Sequence, residues 1–564
     1  MSMQQPVGGA IPDSRGLNLF RADRDAAALF ALYMPADLYR HLEPHLNRLG
    51  ALAGGRLDEL AATADRNPPV LHVRRRTGED AREIEKHPAY VELERIAYSE
   101  FGLAALSHRG GILGWPEPMH PAAKYALTYL FVQAEFGLCC PVSMTDSLTR
   151  TLKRYGSPDL VARFIDGLTT LEFGELAQGA MFMTEQGAGS DVAATSVTAE
   201  AQGDGSWKLF GDKWFCSNAD ADLAMVLARS EPAPGLAGVS LFLLSRTRRD
   251  GIANDYRILR LKDKLGTRSM ASGEIRLEGA EAFLVGERGR GFQQMADMIN
   301  NSRLSNGVRS AGMMRRAATE ALFIASRRKA FGRRLAELPL MRRQLVKILL
   351  AAEQARTMVF LTSDALHRAN GGDAAAAKLA RIMTPLLKFR ACRDARRVTG
   401  DAMEVRGGCG YIEEWSDARL VRDAHLGSIW EGTSNIVALD VLRAIKREGV
   451  LPYLREHVDA LLDGSGLGGT RRADFAGQID RATAFAEAAA QAGGDHLARQ
   501  AASGLYHAVS AAGLAREAAA AALPHRLSLA ILVLKHKLQP RDPLAAPTDD
   551  GLINDVLDGT FAPA

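Results

Sequence analysis

The stretch Met183-Thr-Glu-Gln-Gly-Ala-Gly-Ser-Asp191 stands where the texture of the chain changes. Upstream, from about Arg15 to Thr170, alanine and long-chain residues predict helices. They are broken at Asn67-Pro68-Pro69 and at Trp115-Pro116-Glu117-Pro118. Downstream, to about Gly286, the runs are short and β-rich: Ser206-Trp-Lys-Leu-Phe210, Leu223-Ala-Met-Val-Leu227 and Ser240-Leu-Phe-Leu-Leu244. Turn signals such as Gly203-Asp204-Gly205 separate them. From Gly291 to about Gly449 the pattern is helical again. Beyond Pro452 an alanine-rich helical tail runs to about Leu534, with Gly464 to Gly469 leading into it. The expected division is an N-terminal helical domain (1–178), a central β-domain (179–290), a helical bundle (291–449) and an additional C-terminal helical domain (450–564). The fold class is therefore α+β, mainly α.

Composition supports a globular protein of several domains. The 564 residues are 47% hydrophobic and 24% charged, which excludes disordered, collagen-like and disulfide-stapled chains. A formal charge of +4 demands neither a nucleic-acid nor a membrane partner. Five cysteines without a CxxC pair predict a reduced, cytoplasmic protein. The polar stretch Met1 to Arg15 predicts no signal peptide, and the apolar run Leu527 to Leu534 is too short for membrane insertion. No metal is expected: His41 and His45 have i,i+4 spacing, but Pro44 lies between them and no third ligand is near. They read as partly exposed histidines at a helix end.

Three segments carry chemistry. In Met183 to Asp191, glycines beside Ser190 and Asp191 let backbone N–H groups approach a ligand. The hydroxyls of Thr184 and Ser190 can bond ring edges or phosphate oxygens. By itself such a loop also reads as a turn. In Gly211-Asp-Lys-Trp-Phe-Cys-Ser-Asn218, strand alternation puts Phe215 and Ser217 on one face, although Phe215 also reads as a core aromatic. In Ser428-Ile-Trp-Glu-Gly-Thr-Ser-Asn-Ile436, Glu431 precedes a glycine hinge. Thr433 or Ser434 then caps an amphipathic helix whose N-terminus favours anions. A lone loop glutamate reads equally as solvated surface.

Together, in this order, these segments resemble the acyl-CoA dehydrogenase family of flavoproteins. Arg328-Lys-Ala-Phe-Gly332 is similar to its Arg-x-x-Phe-Gly segment, and Glu431-Gly-Thr433 to its catalytic turn. Further segments resemble the alkylation-response, AidB-type branch. They are Arg66-Asn-Pro-Pro-Val70, Cys140-Pro-Val-Ser-Met144, Arg260-Leu-Lys-Asp-Lys-Leu-Gly266, Ala402-Met-Glu-Val405 with Gly407-Gly408, and Asp440-Val-Leu-Arg443. The helical tail also fits that branch.

The resemblance implies a fold with an N-terminal helical domain, a central β-barrel domain, a C-terminal four-helix bundle and an extra helical domain. It implies non-covalent FAD, with Met183, Thr184, Ser190, Phe215, Ser217, Thr433 and Asn435 as cofactor contacts. Arg328 and Phe331 would reach a neighbouring subunit's cofactor, hence a dimer or homotetramer. Phe215 stands where the family often has Trp, and Ser217 where it usually has Thr. The implied reaction is α,β-oxidation of an acyl-CoA thioester, with Glu431 as α-proton base, flavin N5 as hydride acceptor and Arg303 orienting the site. Relatives that carry the base on an earlier helix place it where this chain has Ser302. The acyl chain and the electron acceptor are not readable, and an acyl-CoA oxidase would share these residues. A nitroalkane oxidase relative would be expected to carry Asp in place of Glu431.

The AidB-type likeness raises an alternative, a stress-response flavoprotein that binds DNA and has weak dehydrogenase activity. The tail from 451 to 564 does not favour it, since ten Lys/Arg face thirteen Asp/Glu, about −3. Residues 301–350 are the better basic candidate, with twelve Lys/Arg against Glu320 and Glu337, but they also read as a salt-bridged bundle face.

Overall fold

The computed structural model describes residues 11–561. Helices dominate its N-terminal part: α1 (Ala36–Gly54), α2 (Pro121–Phe131) and α3 (Cys139–Tyr155). The expectation of helices alone fails at one place. A hairpin, β1 (Val70–Arg74) and β2 (Asp80–Glu85), follows the Asn67-Pro68-Pro69 break. Its strands are short and β1 is largely exposed, so no buried stripe signals it. Pro44 does not end a helix either. α1 continues through it, which places His41 and His45 within the helix rather than at its end.

The central domain contains β3 (Gly179–Phe182), β4 (Thr198–Ala201), β5 (Trp207–Ser217), β6 (Leu223–Arg229), β7 (Val239–Ser245), β8 (Tyr256–Leu261) and β9 (Ser272–Val285). β4 pairs with β5, β5 with β9, β9 with β7 and β7 with β6. The single pair Thr198–Arg229 returns β6 to β4 and closes a barrel. β6 and β7 read as continuous apolar runs because both faces are covered. Val226, Phe242 and Leu244 fill the barrel, while Met225, Leu227, Leu241 and Leu243 join the helical core.

The bundle is built on α4 (Gly291–Arg327), α5 (Pro339–Asn370) and α6 (Ala374–Arg406), with α7 (Ser416–Gly427) and α8 (Ser434–Glu448) against α6. α4 approaches α2 so closely that a Cβ on Gly312 would lie 2.7 Å from the Tyr129 carbonyl oxygen. The tail helix α9 (Ala498–Ala520) packs on α5, α6 and α8. Helical structure continues past Leu534, with a further helix over Asp550–Thr560.

The basic run at 301–350 is partly internal. Arg303, Arg309, Arg315 and Arg316 are all buried. Arg316 pairs with Asp58 and Glu320, and Arg315 with Asp23 and Glu353. Arg526 of the tail reaches the same interior, pairing with Asp25, Glu353 and Glu517. These charges tie the N-terminal helices, the bundle and the tail together, and removal of Arg526 would leave the buried Glu517 without its cation.

Candidate active site

A cavity of about 690 Å³ lies where the barrel meets α3, α4, α7 and the turn before α8. Met183, Thr184, Ser190, Phe215, Ser217, Arg303, Glu431 and Thr433 all line it. Phe215 is 55% exposed, so it is a wall of the cavity and not a core aromatic. Three residues singled out in the sequence lie elsewhere. Arg328 donates to the Arg406 carbonyl at 2.7 Å, Phe331 is 93% exposed, and Asn435 is exposed in the first turn of α8.

The loop after β3 is held from beneath by a buried ion pair. Lys213 Nζ donates to Glu185 Oε1 (2.7 Å), to the Leu227 carbonyl (2.7 Å) and to the Met183 carbonyl (3.3 Å). Glu185 Oε2 accepts from Ser196 N (2.7 Å) and Oγ (2.6 Å). Burial alone would raise the Glu185 carboxyl, but Lys213 and these hydrogen bonds hold it below the usual carboxylate range. Trp214 N–H donates to the Thr184 carbonyl (2.8 Å), which stitches the loop to β5. A register shift between Lys213 and Cys216 bends β5 just where it meets the cavity. Lys213 and Glu185 both sit within quoted segments, yet nothing local announces that they pair.

Glu431 sits at φ 49°, in the left-handed region that a non-glycine residue enters at a cost of about 1–3 kcal/mol. Gly432 follows at φ 97°, and Thr433 is the N-cap position of α8. Several groups enforce this turn. Arg303 Nε donates to the Glu431 carbonyl at 3.0 Å, and Arg303 is itself fixed by Asp440 at 2.7 Å. Lys388 donates to the Gly432 carbonyl. The carboxylate is bound to α4, where Ser302 Oγ donates to Oε1 (2.8 Å) and Asn306 Nδ2 to Oε2 (3.3 Å). The alternative base position on the earlier helix thus meets Glu431 directly.

Lys264 and Trp430, inside segments quoted from the sequence but given no role there, also line the cavity. Burial pushes the Lys264 amine down to about 8; it donates to the Met270 carbonyl (2.6 Å) and Ser272 Oγ (3.1 Å). Trp430 presents a buried indole N–H that has no partner among the described residues. Its ring stacks on Phe136 at 5.8 Å and lies beneath the Arg309 guanidinium at 4.7 Å. Hydroxyls, an amine and an orphaned N–H around an exposed aromatic wall form a donor set suited to a large flat ligand rich in acceptors. Among the described residues no group of three or more His, Cys, Asp or Glu is arranged to hold a metal, and no helix is long and apolar enough to cross a membrane.

Comparison with known proteins agrees with this architecture. Residues 10–175 match the adaptive response protein AidB N-terminal domain, 180–280 the acyl-CoA dehydrogenase middle domain, and 289–446 the acyl-CoA dehydrogenase C-terminal domain. The chain belongs to the acyl-CoA dehydrogenase family. Among family members, AidB of Escherichia coli (strain K12) is 36% identical over 71% of this chain and 73% of its own. Acyl-CoA dehydrogenase family member 11 of Caenorhabditis elegans is 31% identical over 76% of this chain and 71% of its own. Caenorhabditis elegans ACDH-11, solved in complex with C11-CoA, superposes with a TM-score of 0.89 at 25% identity. That match covers 96% of this chain and 95% of ACDH-11. The family is one of oxidoreductases, and in this chain its barrel and bundle domains together line the Glu431 cavity.

Proposed function

We propose that the protein is an FAD-dependent acyl-CoA dehydrogenase that uses Glu431 as the α-proton base. The observation that carries this reading is the Glu431 carboxylate, held in a strained turn by α4 and facing the same cavity as Thr184, Ser190, Phe215 and Ser217. The donor set and the orphaned Trp430 N–H fit FAD, with Met183, Thr184, Ser190, Phe215, Ser217 and Thr433 holding it. Arg328 and Phe331, outside this cavity, would contact the cofactor of a neighbouring subunit in a dimer or tetramer, and Asn435, two residues beyond Thr433, would contact the cofactor from the start of α8. FAD, when bound, supplies the hydride acceptor.

The chain's own residues handle the proton. An α-CH next to a thioester is a weak acid, so the base must be close, oriented and shielded from water. Ser302 and Asn306 orient the Glu431 carboxylate. Arg303, locked by Asp440, fixes the turn that carries it. Charge growing on the thioester oxygen needs donors, and backbone N–H groups of the turn beside the base can supply them. Anaerobic titration of the yellow protein with short, branched, long and aromatic acyl-CoAs tests the reading. Loss of the visible flavin absorbance with one of them supports it, and no loss with any of them opposes it.

A second reading, an AidB-like protein that binds DNA and has weak dehydrogenase activity, draws support from one surface feature. Arg343, Lys347, Arg397, Lys537 and Arg541 line a cleft with Asp549; Arg343 is paired with Asp549 and Asp550 and Arg397 with Asp401, which leaves Lys347, Lys537 and Arg541 to carry its positive charge. Duplex binding that weakens steeply with salt, without flavin bleaching by acyl-CoA, would favour it.

A further inference from the structure

A second cavity, of about 590 Å³, opens between α2, the distal half of α3 and the end of α5. It shares no lining residue with the Glu431 cavity, although α3 and α4 contribute to both. Cys140 and Ile299 face one, and Asp146 and Asn301 the other. Its charge is lopsided. Lys124, Arg150, Lys153 and Arg154 line it against Asp146 and Glu117.

Asp146 is already satisfied. Lys124 Nζ lies 2.6 Å from Oδ2, Asn301 Nδ2 donates to the same oxygen at 2.7 Å, and His108 Nε2 is 2.9 Å from Oδ1. Arg154 pairs outward with Asp297. Arg150 and Lys153 remain, at i,i+3 on one face of α3. Among the described residues neither has a carboxylate within ion-pair distance. Arg150 donates to Asn370 Oδ1 at 3.0 Å and Lys153 to the His108 carbonyl at 3.0 Å. Trp115 and the rings of His120 and His367, 3.9 Å apart and inclined at 43° to each other, add aromatic surface to the same cavity. Two uncompensated cations and aromatic surface, in a cavity large enough for a nucleotide, match a phosphate-bearing molecule better than any apolar ligand.

We propose that this second cavity binds a small organic phosphate of nucleotide size, recognised by Arg150 and Lys153. A free nucleotide and the 3′-phosphoadenosine end of a CoA share this chemistry. The test is calorimetric titration of the purified full-length protein with ADP, inorganic pyrophosphate and CoA in turn. The wild type is compared with Arg150→Met/Lys153→Met and with the charge-preserving Arg150→Lys/Lys153→Arg. ADP binding that weakens at least tenfold in the methionine pair, but not in the charge-preserving pair, supports a free nucleotide. The same pattern with CoA alone assigns the cavity to the CoA end, and with pyrophosphate it isolates the phosphate contact. Absence of binding by all three, or equal binding by wild type and the methionine pair, overturns the proposal. Both side chains reach the surface, so the variants fold, and an unchanged circular dichroism spectrum checks this.

Discussion

Ser302 Oγ lies 2.8 Å from Glu431 Oε1, which joins the middle of α4 to the turn that opens α8. The two residues are 129 positions apart in sequence. Ser302 is fully buried and its hydroxyl is aimed at the carboxylate. A hydrogen bond to a charged group contributes about 1.5–3 kcal/mol. Ser302→Ala makes the carboxylate more basic but leaves it free to turn from the α-carbon, and the loss of positioning should slow flavin reduction by roughly tenfold or more, while FAD content stays at the wild-type level. Single-turnover absorbance kinetics measure the rate, and the ratio of bound flavin to protein checks the content.

The Lys213–Glu185 pair should matter for stability more than for chemistry. Lys213→Met leaves a buried carboxylate without its cation, which costs about 3–5 kcal/mol. Urea unfolding should show a clearly lower midpoint and a loop that retains FAD poorly. The double change Lys213→Met/Glu185→Gln should recover much of the stability, since no charge is then stranded.

Little of this pairing was legible in the sequence. Unbroken apolar runs locate β6 and β7 because both of their faces are buried, and the glycine-rich loop, the Phe215–Ser217 face and the Glu431 turn are visible as local patterns. Ion pairs leave no such local trace. Arg315 belongs to a run that reads as a salt-bridged bundle face, but only the fold places its partners, Asp23 and Glu353, beside it. The β1–β2 hairpin escapes for the opposite reason, since it buries too little to impose an alternating pattern.

Asp423 gives the protein a pH dependence with a definite sign. Burial, followed by the nearby Glu135 charge, pushes its carboxyl up to about 7. Between about 4, the unfolded value, and 7, the folded state holds a proton that the unfolded state has released. This contribution is therefore fully present below pH 4 and is lost as pH rises to 7. Asp423→Asn can still accept the Thr267 N–H and should flatten the decline. Unfolding midpoints at pH 5, 6 and 7 for both proteins measure the difference.

Phe331, 93% exposed at φ 53°, has no packing role within its own chain. If its place is against a neighbouring subunit, Phe331→Asp should shift the protein toward smaller species in analytical ultracentrifugation without altering its helical circular dichroism. An unchanged sedimentation profile would remove Phe331 from the interface.

The most direct measurement compares wild type and Glu431→Gln, matched for bound FAD, during anaerobic mixing with an acyl-CoA that reduces the wild-type flavin. With Glu431 as base, the variant should reduce its flavin at least a hundredfold more slowly, within the range that general base catalysis supplies. Reduction at the wild-type rate would contradict the account and take the proton from Glu431 altogether.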